Sequence, residues 1–416
     1  MSRISKSDFR PTRGFSLVEL MVAMAIGLVV TLVITNVLLR SENDKRTSTS
    51  LNDTVQSGAY TGYMLERAIR QAGTGYTQRL SQLFGCRLNA WNTREGGVML
   101  PAPAAFPSPF GSAAQLRRLA PVLIEPGAAD TGAEVRGDII TVMSGAGGKS
   151  EMPVRASAFN AAMPMNFSIA FTGEYRVGDM VLLGGDRGAN RDCMIQQVTR
   201  INGSILELGD NHTSGAGTTI NFADFAAPGM STVYAAQLGY VVPTAGPAPA
   251  PRPNPPLFQM FAVGDNSVLF SYDLLKTGTT AAQNDPQPVA DNVVELRALY
   301  GIDTDLNHSL EDWQDPATSP YRYAELTDGS TDALRRLKQI TAIRIGLITR
   351  SPLQEKLRDD GTPVGPEQIV LFPGLTTSGG ISLQRTRTLT ADERNFRYRT
   401  YEAIIPLRNM QFAPLP

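Results

Sequence analysis

Few side chains in this chain have the types and spacing that do chemistry. In "GIDTDLNHSLEDW" (301–313), Asp303, Asp305 and Asn307 alternate, and Ser309, Glu311 and Asp312 follow closely. Oxygen side chains alternating through a turn can converge on Ca2+. His308, however, stands where a helix–loop–helix calcium loop needs glycine, and Gln314 where it needs glutamate. Turns rich in Asp and Asn also hold themselves together without a metal. "MSGAGGKS" (143–150) ends like a phosphate-binding loop, but Met143 replaces its first glycine and Pro153 interrupts the helix that should follow. It reads as a glycine-rich loop. With two histidines and two cysteines, the chain offers no set for a His/Cys metal centre or a catalytic triad. No enzyme activity and no resident cofactor are expected, with Ca2+ on Asp303, Asp305, Asn307, Ser309 and Asp312 as the alternative.

The remaining candidate is Glu19. From Leu20 to Leu39 the chain runs for twenty residues without a charge. At about 1.5 Å per residue this covers roughly 30 Å, the thickness of a bilayer core. Arg3, Lys6, Arg10 and Arg13 precede it against one acid, Asp8, a bias that holds the N-terminus in the cytoplasm and sends the rest across. A cleaved secretory signal would have a shorter apolar core and a small-residue cleavage site. A lipid-modified signal would need a cysteine at the junction. A plain signal anchor fits the length but leaves Glu19 as an acid at unexplained cost within the membrane helix.

"GFSLVEL" (14–20) accounts for it. These residues resemble the class III signal of type IV prepilins and pseudopilins: a basic leader ending in glycine, an aromatic next, and glutamate at the fifth mature position. The resemblance implies that a prepilin peptidase cleaves between Gly14 and Phe15 and that the new amino group of Phe15 is methylated. The apolar helix then becomes the packing core of a filament. An amine created in an apolar assembly is costly unless it is paired, and Glu19 is the carboxylate that can meet it, in the same subunit or a neighbour.

The elements that carry these residues follow from the patterning. Leu51 and Val55, then Leu65 and Ile69, fall at i,i+4 spacing, so helix is expected to continue past the membrane segment as an amphipathic stripe lying on a sheet. Gly73 is the expected stop. A helix from Phe15 to Ala72 would be about 87 Å long, and Gly58, Gly62 and the Ser/Thr cluster at 47–50 suggest a bend or frayed section. The two glycines read either as tolerated or as close helix packing in a filament. Beyond Gly73, "GDIITVM" (137–143), "GDMVLLGG" (178–185), "CMIQQVTRI" (193–201) and "SILELGD" (204–210) are β-rich runs between turn residues. "VPTAGPAPAPRPNPP" (242–256) is a stiff loop or linker. "LKQITAIRIGLITRS" reads as a helix running into a half-buried strand. The net charge of −1 gives no basic footprint for nucleic acid.

"LERAIRQAG", the "GC" at 85–86, "GDIITV", "VGDMVLL" with "CMIQQVT", "DNVVELRALYGIDTD" and "IPLRN" extend the resemblance, in order, to the PilW family of minor pilins. "TGYTQRLSQLF" is longer than the family's usual spacing before Cys86. The resemblance implies an α+β, type IV pilin-like fold: a long N-terminal helix packed on antiparallel sheet, with an enlarged β-rich ectodomain. The expected divisions are a leader (1–14), the helix (15–73, with 15–39 in membrane or filament core), a β-rich part (74–241), the proline-rich segment (242–257) and an α/β part (258–416). The implied role is initiation or assembly of type IV pili, at the tip or in a priming complex. The implied partners are other minor pilins, the major pilin, the prepilin peptidase, a tip adhesin and the inner membrane. A minor pseudopilin of a type II secretion system is the alternative, and a signal-anchored periplasmic binding domain the second. In the oxidising periplasm that this topology implies, Cys86 and Cys193 have one intramolecular pairing available; two buried free thiols are the other reading.

Overall fold

The computed structural model describes residues 16–79, 83–92, 97–127, 137–145, 152–162, 164–173, 175–185, 191–208, 222–226, 232–240, 256–275, 285–358 and 360–411. The leader, Gly14 and Phe15, the Gly-Lys-Ser end of the glycine-rich loop and nearly all of the proline-rich segment lie outside them. The chain divides into two compact units, Met1–Asn52 and Asp53–Pro416. It has the expected α+β architecture, an N-terminal apolar helix and a large, mostly antiparallel β body.

Helix α1 spans Leu17–Gln71 as one unbroken helix of 55 residues, so the expected frayed section is not found. It stops where glycine was expected to stop it. Gly73 has φ +84°, a conformation open to glycine, and its N–H donates to the Met143 carbonyl at 2.9 Å.

Nineteen strands follow among the described residues. They begin with β1 (Arg87–Asn92), β2 (Gly97–Leu100), β3 (Val122–Glu125), β4 (Ile139–Ser144), β5 (Val154–Asn160) and β6 (Asn166–Ile169). Next come β7 (Asp179–Gly185), β8 (Asp192–Asn202), β9 (Ile205–Leu208), β10 (Val233–Tyr240), β11 (Leu257–Gly264) and β12 (Val268–Asp273). The rest are β13 (Gln287–Asp291), β14 (Val293–Ile302), β15 (Asp312–Gln314), β16 (Ile340–Arg350), β17 (Gln368–Leu371), β18 (Arg385–Thr388) and β19 (Tyr398–Pro406). Helix α2 (Thr331–Gln339) runs directly into β16, as "LKQITAIRIGLITRS" predicts. Ser330 caps it, its hydroxyl accepting from the Ala333 N–H at 3.0 Å.

Strands β5 to β10 close on themselves. Their order is β8-β7-β10-β5-β6-β9, and β9 pairs back to β8, making a six-stranded antiparallel barrel. Its interior holds Phe167, Met194, Leu206, Phe222 and Phe225, all buried. Phe159 joins the rings of Phe167 and Phe222 at centroid distances of 5.7 and 5.5 Å. Side chains therefore fill the barrel, as expected at this strand number. Strand β1 adds to β8 in parallel, with Leu88 opposite Cys193.

The second sheet has the order β13-β12-β11-β4-β3 and the third β15-β14-β16-β19. The second sheet takes strands from both sides of the proline-rich segment, with Leu257 of β11 opposite Ser144 of β4. Leu65 and Ile69 of α1 are fully buried in the same core as Leu296, Ile343, Ile345 and Ile405 of the third sheet. The hairpin β17–β18 covers that sheet's other face through Ile369, Leu371 and Phe372.

The helix face that meets the sheet departs from the expected stripe. Val55 is 53 % exposed. The buried positions are Thr54, Gly58, Thr61, Gly62, Leu65, Ala68, Ile69 and Ala72, a stripe whose first turns are small residues. Small side chains let strands come close. The Ser57 hydroxyl donates to the Asp291 carbonyl at 2.7 Å. A Cβ on Gly62 would lie 2.3 Å from the Tyr401 ring, while one on Gly58 would meet Thr349 Oγ1 at an ordinary 3.4 Å. The two glycines therefore seat the chain's own sheet. For Gly62→Ala, overpacking of about 1–3 kcal/mol outweighs the roughly 1 kcal/mol gained by removing a helix glycine. We expect Gly62→Ala to lower the urea midpoint and Gly58→Ala to leave it unchanged or raise it.

Candidate functional sites

The first site is the start of α1. Ser16 precedes the helix and Glu19 occupies its first turn. The Ser16 N–H faces Glu19 Oε2 at 3.5 Å, and the Glu19 N–H faces Ser16 Oγ at 3.3 Å. This reciprocal pairing is a capping box, and a negative side chain in the first turn also complements the helix dipole. Glu19 thus has a local task that the charge argument alone does not supply. The signal was present as S-x-x-E at residues 16–19.

The helix that follows is long and apolar enough over Leu17–Leu39 to cross a membrane, and none of that window is buried. Leu17, Met21, Met24 and Leu28 are all more than 60 % exposed. The hydroxyls of Thr31 and Thr35 do not spoil this surface. Each donates to the carbonyl four residues back, Thr31 to Gly27 and Thr35 to Thr31, so neither needs water.

The second site is the cysteine pair, which the structure brings together. Cys86 and Cys193 form a disulfide with Cα atoms 5.6 Å apart, across a sequence separation of 107. Both are fully buried. The bridge stands beside the parallel β1–β8 pair, where Arg87 Nη2 donates to Asp192 Oδ2 at 2.7 Å and Asn89 Nδ2 to the Cys193 carbonyl at 3.2 Å. Arg191 Nη2 donates to the Phe84 carbonyl at 2.8 Å and Arg118 Nη1 to that of Gly85 at 3.0 Å. The bridge pins barrel strand β8 to the chain that leaves the helix, in a setting with no thiolate to attack anything.

The third site is the turn at 303–312. Carboxylate oxygens of Asp303, Asp305 and Glu311 lie within 4.8 Å of one another and could hold a cation. The expected set had Asp312 where this group has Glu311, with Asn307 and Ser309 between. Asp312 turns away, accepting from the Ser378 N–H and hydroxyl at 2.7 and 2.9 Å, because it begins β15 and faces the neighbouring hairpin. The Asn307 side chain is engaged in the turn itself. The Ser309 N–H donates to Asn307 Oδ1 at 2.7 Å and Asn307 Nδ2 to Asp305 Oδ2 at 2.9 Å. The carboxylates are likewise engaged. Asp303 accepts from the N–H groups of Asn307 and His308 at 3.0 and 2.6 Å, and Glu311 from that of Thr304 at 3.0 Å. Glu311 replaces Asp312 because the turn folds back, so that the Glu311 N–H meets the Ile302 carbonyl at 2.9 Å.

Buried charge elsewhere is structural. Arg117, fully buried, pairs with Glu125 and donates to the Tyr323 hydroxyl at 3.2 Å. Burial pushes that phenol up to about 12, against the opposing pull of Arg117.

Comparison with known proteins gives two matches. The family model described as Type IV Pilus-assembly protein W matches residues 260–409, which runs from β11 to the last helical turn and leaves the barrel outside. The model of the prokaryotic N-terminal methylation motif matches residues 9–35. No curated protein and no solved structure matches the chain.

Proposed function

We propose that this chain, which the two matches support as a PilW-family type IV minor pilin, takes part in starting or assembling type IV pili, at the tip or in a priming complex. The observation that carries this is the N-terminal one: Glu19 opens a helix whose apolar span, Leu17–Leu39, is unburied among the described residues. Such a surface is stable in a membrane or against other helices, and a pilin uses both in turn. Pilins are structural proteins, and the apolar helix with its methylation motif fits a membrane-anchored one.

The finer reading is as follows. Cleavage falls between Gly14 and Phe15, and Phe15 is N-methylated. The N-terminus is cytoplasmic and the body periplasmic until the subunit reaches the pilus. Its partners are other minor pilins, the major pilin, the prepilin peptidase and a tip adhesin. A body as large as Asp53–Pro416 is bulky for a repeating shaft and suits a tip. The chain works without a resident cofactor: titration calorimetry with 1 mM Ca2+ is expected to give no saturable heat, and such a heat would establish a cation site at Asp303, Asp305 and Glu311.

Deletion of the chain tests the function. Loss of sheared surface pili with intact protein secretion supports the pilus reading. Normal pili with exoproteins trapped in the periplasm would instead assign it to a type II secretion system. Normal output of both would point to a signal-anchored binding domain.

A further inference from the structure

The turn that holds the carboxylates has a second chemical character. Five Asn-x-Ser/Thr tripeptides occur, at Asn52, Asn166, Asn202, Asn211 and Asn307, and in an exported protein such a tripeptide on a surface loop is an acceptor for N-linked sugar. Structure separates them. Asn52 lies inside α1, where the following N–H groups are spent on the helix. Asn166 opens β6 and Asn202 closes β8, each paired with a neighbouring strand. Asn211 is outside the described residues. Asn307 alone among the described four sits on an irregular turn, and Asn307, His308 and Ser309 are all exposed.

We propose that Asn307 is a site of N-linked glycosylation by a bacterial-type oligosaccharyl transferase, with a lipid-pyrophosphate-linked oligosaccharide as donor. An amide nitrogen is a poor nucleophile because its lone pair is delocalised into the carbonyl. At Asn307 the side chain is polarised from both ends. The Ser309 N–H donates to Oδ1 at 2.7 Å, and Nδ2 donates to the Asp305 carboxylate at 2.9 Å. Hydrogen bonds to charged acceptors are the stronger kind. Donation to Oδ1 makes the Nδ2 protons more acidic, and the Asp305 carboxylate is placed to accept one, which frees electron density on nitrogen. Asp305 also places an acid two residues before the acceptor, as Asp305-Leu306-Asn307-His308-Ser309. The other four have Ser50, Pro164, Arg200 and Gly209 at that position. The reaction forms a bond from Nδ2 to the anomeric carbon as the bond from that carbon to the pyrophosphate oxygen breaks. The lipid pyrophosphate leaves with the electron pair, and one Nδ2 proton passes to a carboxylate base.

This rests on the periplasmic placement of the body but not on pilus assembly. The full-length chain, co-produced in a Gram-negative host with such a transferase and its lipid-linked donor, is purified and its Cys86–Cys193-oxidised fraction is peptide-mapped by mass spectrometry. Oxidation marks the exported molecules, so failure of export is scored separately. The expected result is glycan mass on the peptide containing Asn307. It should be abolished by Asn307→Gln and Ser309→Ala, kept by Ser309→Thr, and cut at least about tenfold by Asp305→Ala. A bare Asn307 in the oxidised chain, or occupancy unaffected by Asp305→Ala, would overturn the proposal.

Discussion

Glu19→Ala is expected to yield a cleaved, membrane-inserted protein that is absent from sheared pili. The loss would concern assembly because the substitution leaves the proposed cleavage junction, Gly14 and Phe15, untouched. Once Phe15 carries a free amine, that charge must enter an apolar helical assembly, and removing its carboxylate leaves it unpaired. Breaking a desolvated ion pair costs about 3–5 kcal/mol, which at the lower figure is roughly a hundredfold in occupancy. The capping box offers a competing account, since Glu19 and Ser16 also satisfy each other's backbone N–H. Glu19→Gln separates the two. Glutamine serves as well as glutamate at this capping position but carries no charge. If charge pairing governs assembly, Glu19→Gln fails as Glu19→Ala does; if capping governs it, Glu19→Gln assembles. Immunoblots of the sheared fraction, normalised to the membrane fraction, make the comparison.

The second large effect is expected from the Cys86→Ala/Cys193→Ala pair. The bridge closes a separation of 107 residues, and the chain-entropy model assigns a loop of that length about 4–5 kcal/mol. Folded proteins typically hold only about 5–15 kcal/mol in total, so the double variant should lose a large share of its stability. Both sulfurs are fully buried, which adds small cavities on replacement. The prediction is a large fall in the urea midpoint, read by Trp fluorescence in detergent, and lower steady-state abundance in cells. An unchanged midpoint would mean that the barrel holds its place without the bridge.

Much of the body was legible because its signals are local. The runs at 137–143, 178–185, 193–201 and 204–210 coincide with β4, β7, β8 and β9, since alternation and turn residues act within a few positions. Gly73 ended the helix for a reason carried by one residue's backbone. The helix face was harder. Leu51 and Val55 suggested an apolar stripe, but the sheet packs on Thr54, Gly58, Thr61 and Gly62, where the favourable property is lack of bulk rather than hydrophobicity. Barrel closure was invisible for a different reason. The hairpin β8–β9 is local, but the ring needs β6 on β9 and β5 on β10, pairings distant in sequence that no window contains. At the 303–312 turn the carboxylates that converge are those of Asp303, Asp305 and Glu311, because the returning strand turns Asp312 toward Ser378 instead.

The rung that joins Ser144 to Leu257 has a consequence for how this molecule is put together. Residues 145 to 256 leave and re-enter the chain at facing positions on one antiparallel ladder, so β4 and β11 amount to a hairpin whose connecting loop has grown into a barrel. A tight turn could bridge the same gap without disturbing a strand of the third sheet. The barrel is thus an inserted cargo, joined covalently at its two adjoining ends and through Cys193, and seated by the β1–β8 pairing and by Met180, Leu182, Ile195, Ala236 and Leu238, which share a core with Leu65 and Ile69. Exchanging that cargo would change what the subunit displays while leaving the start of α1 to do the same work.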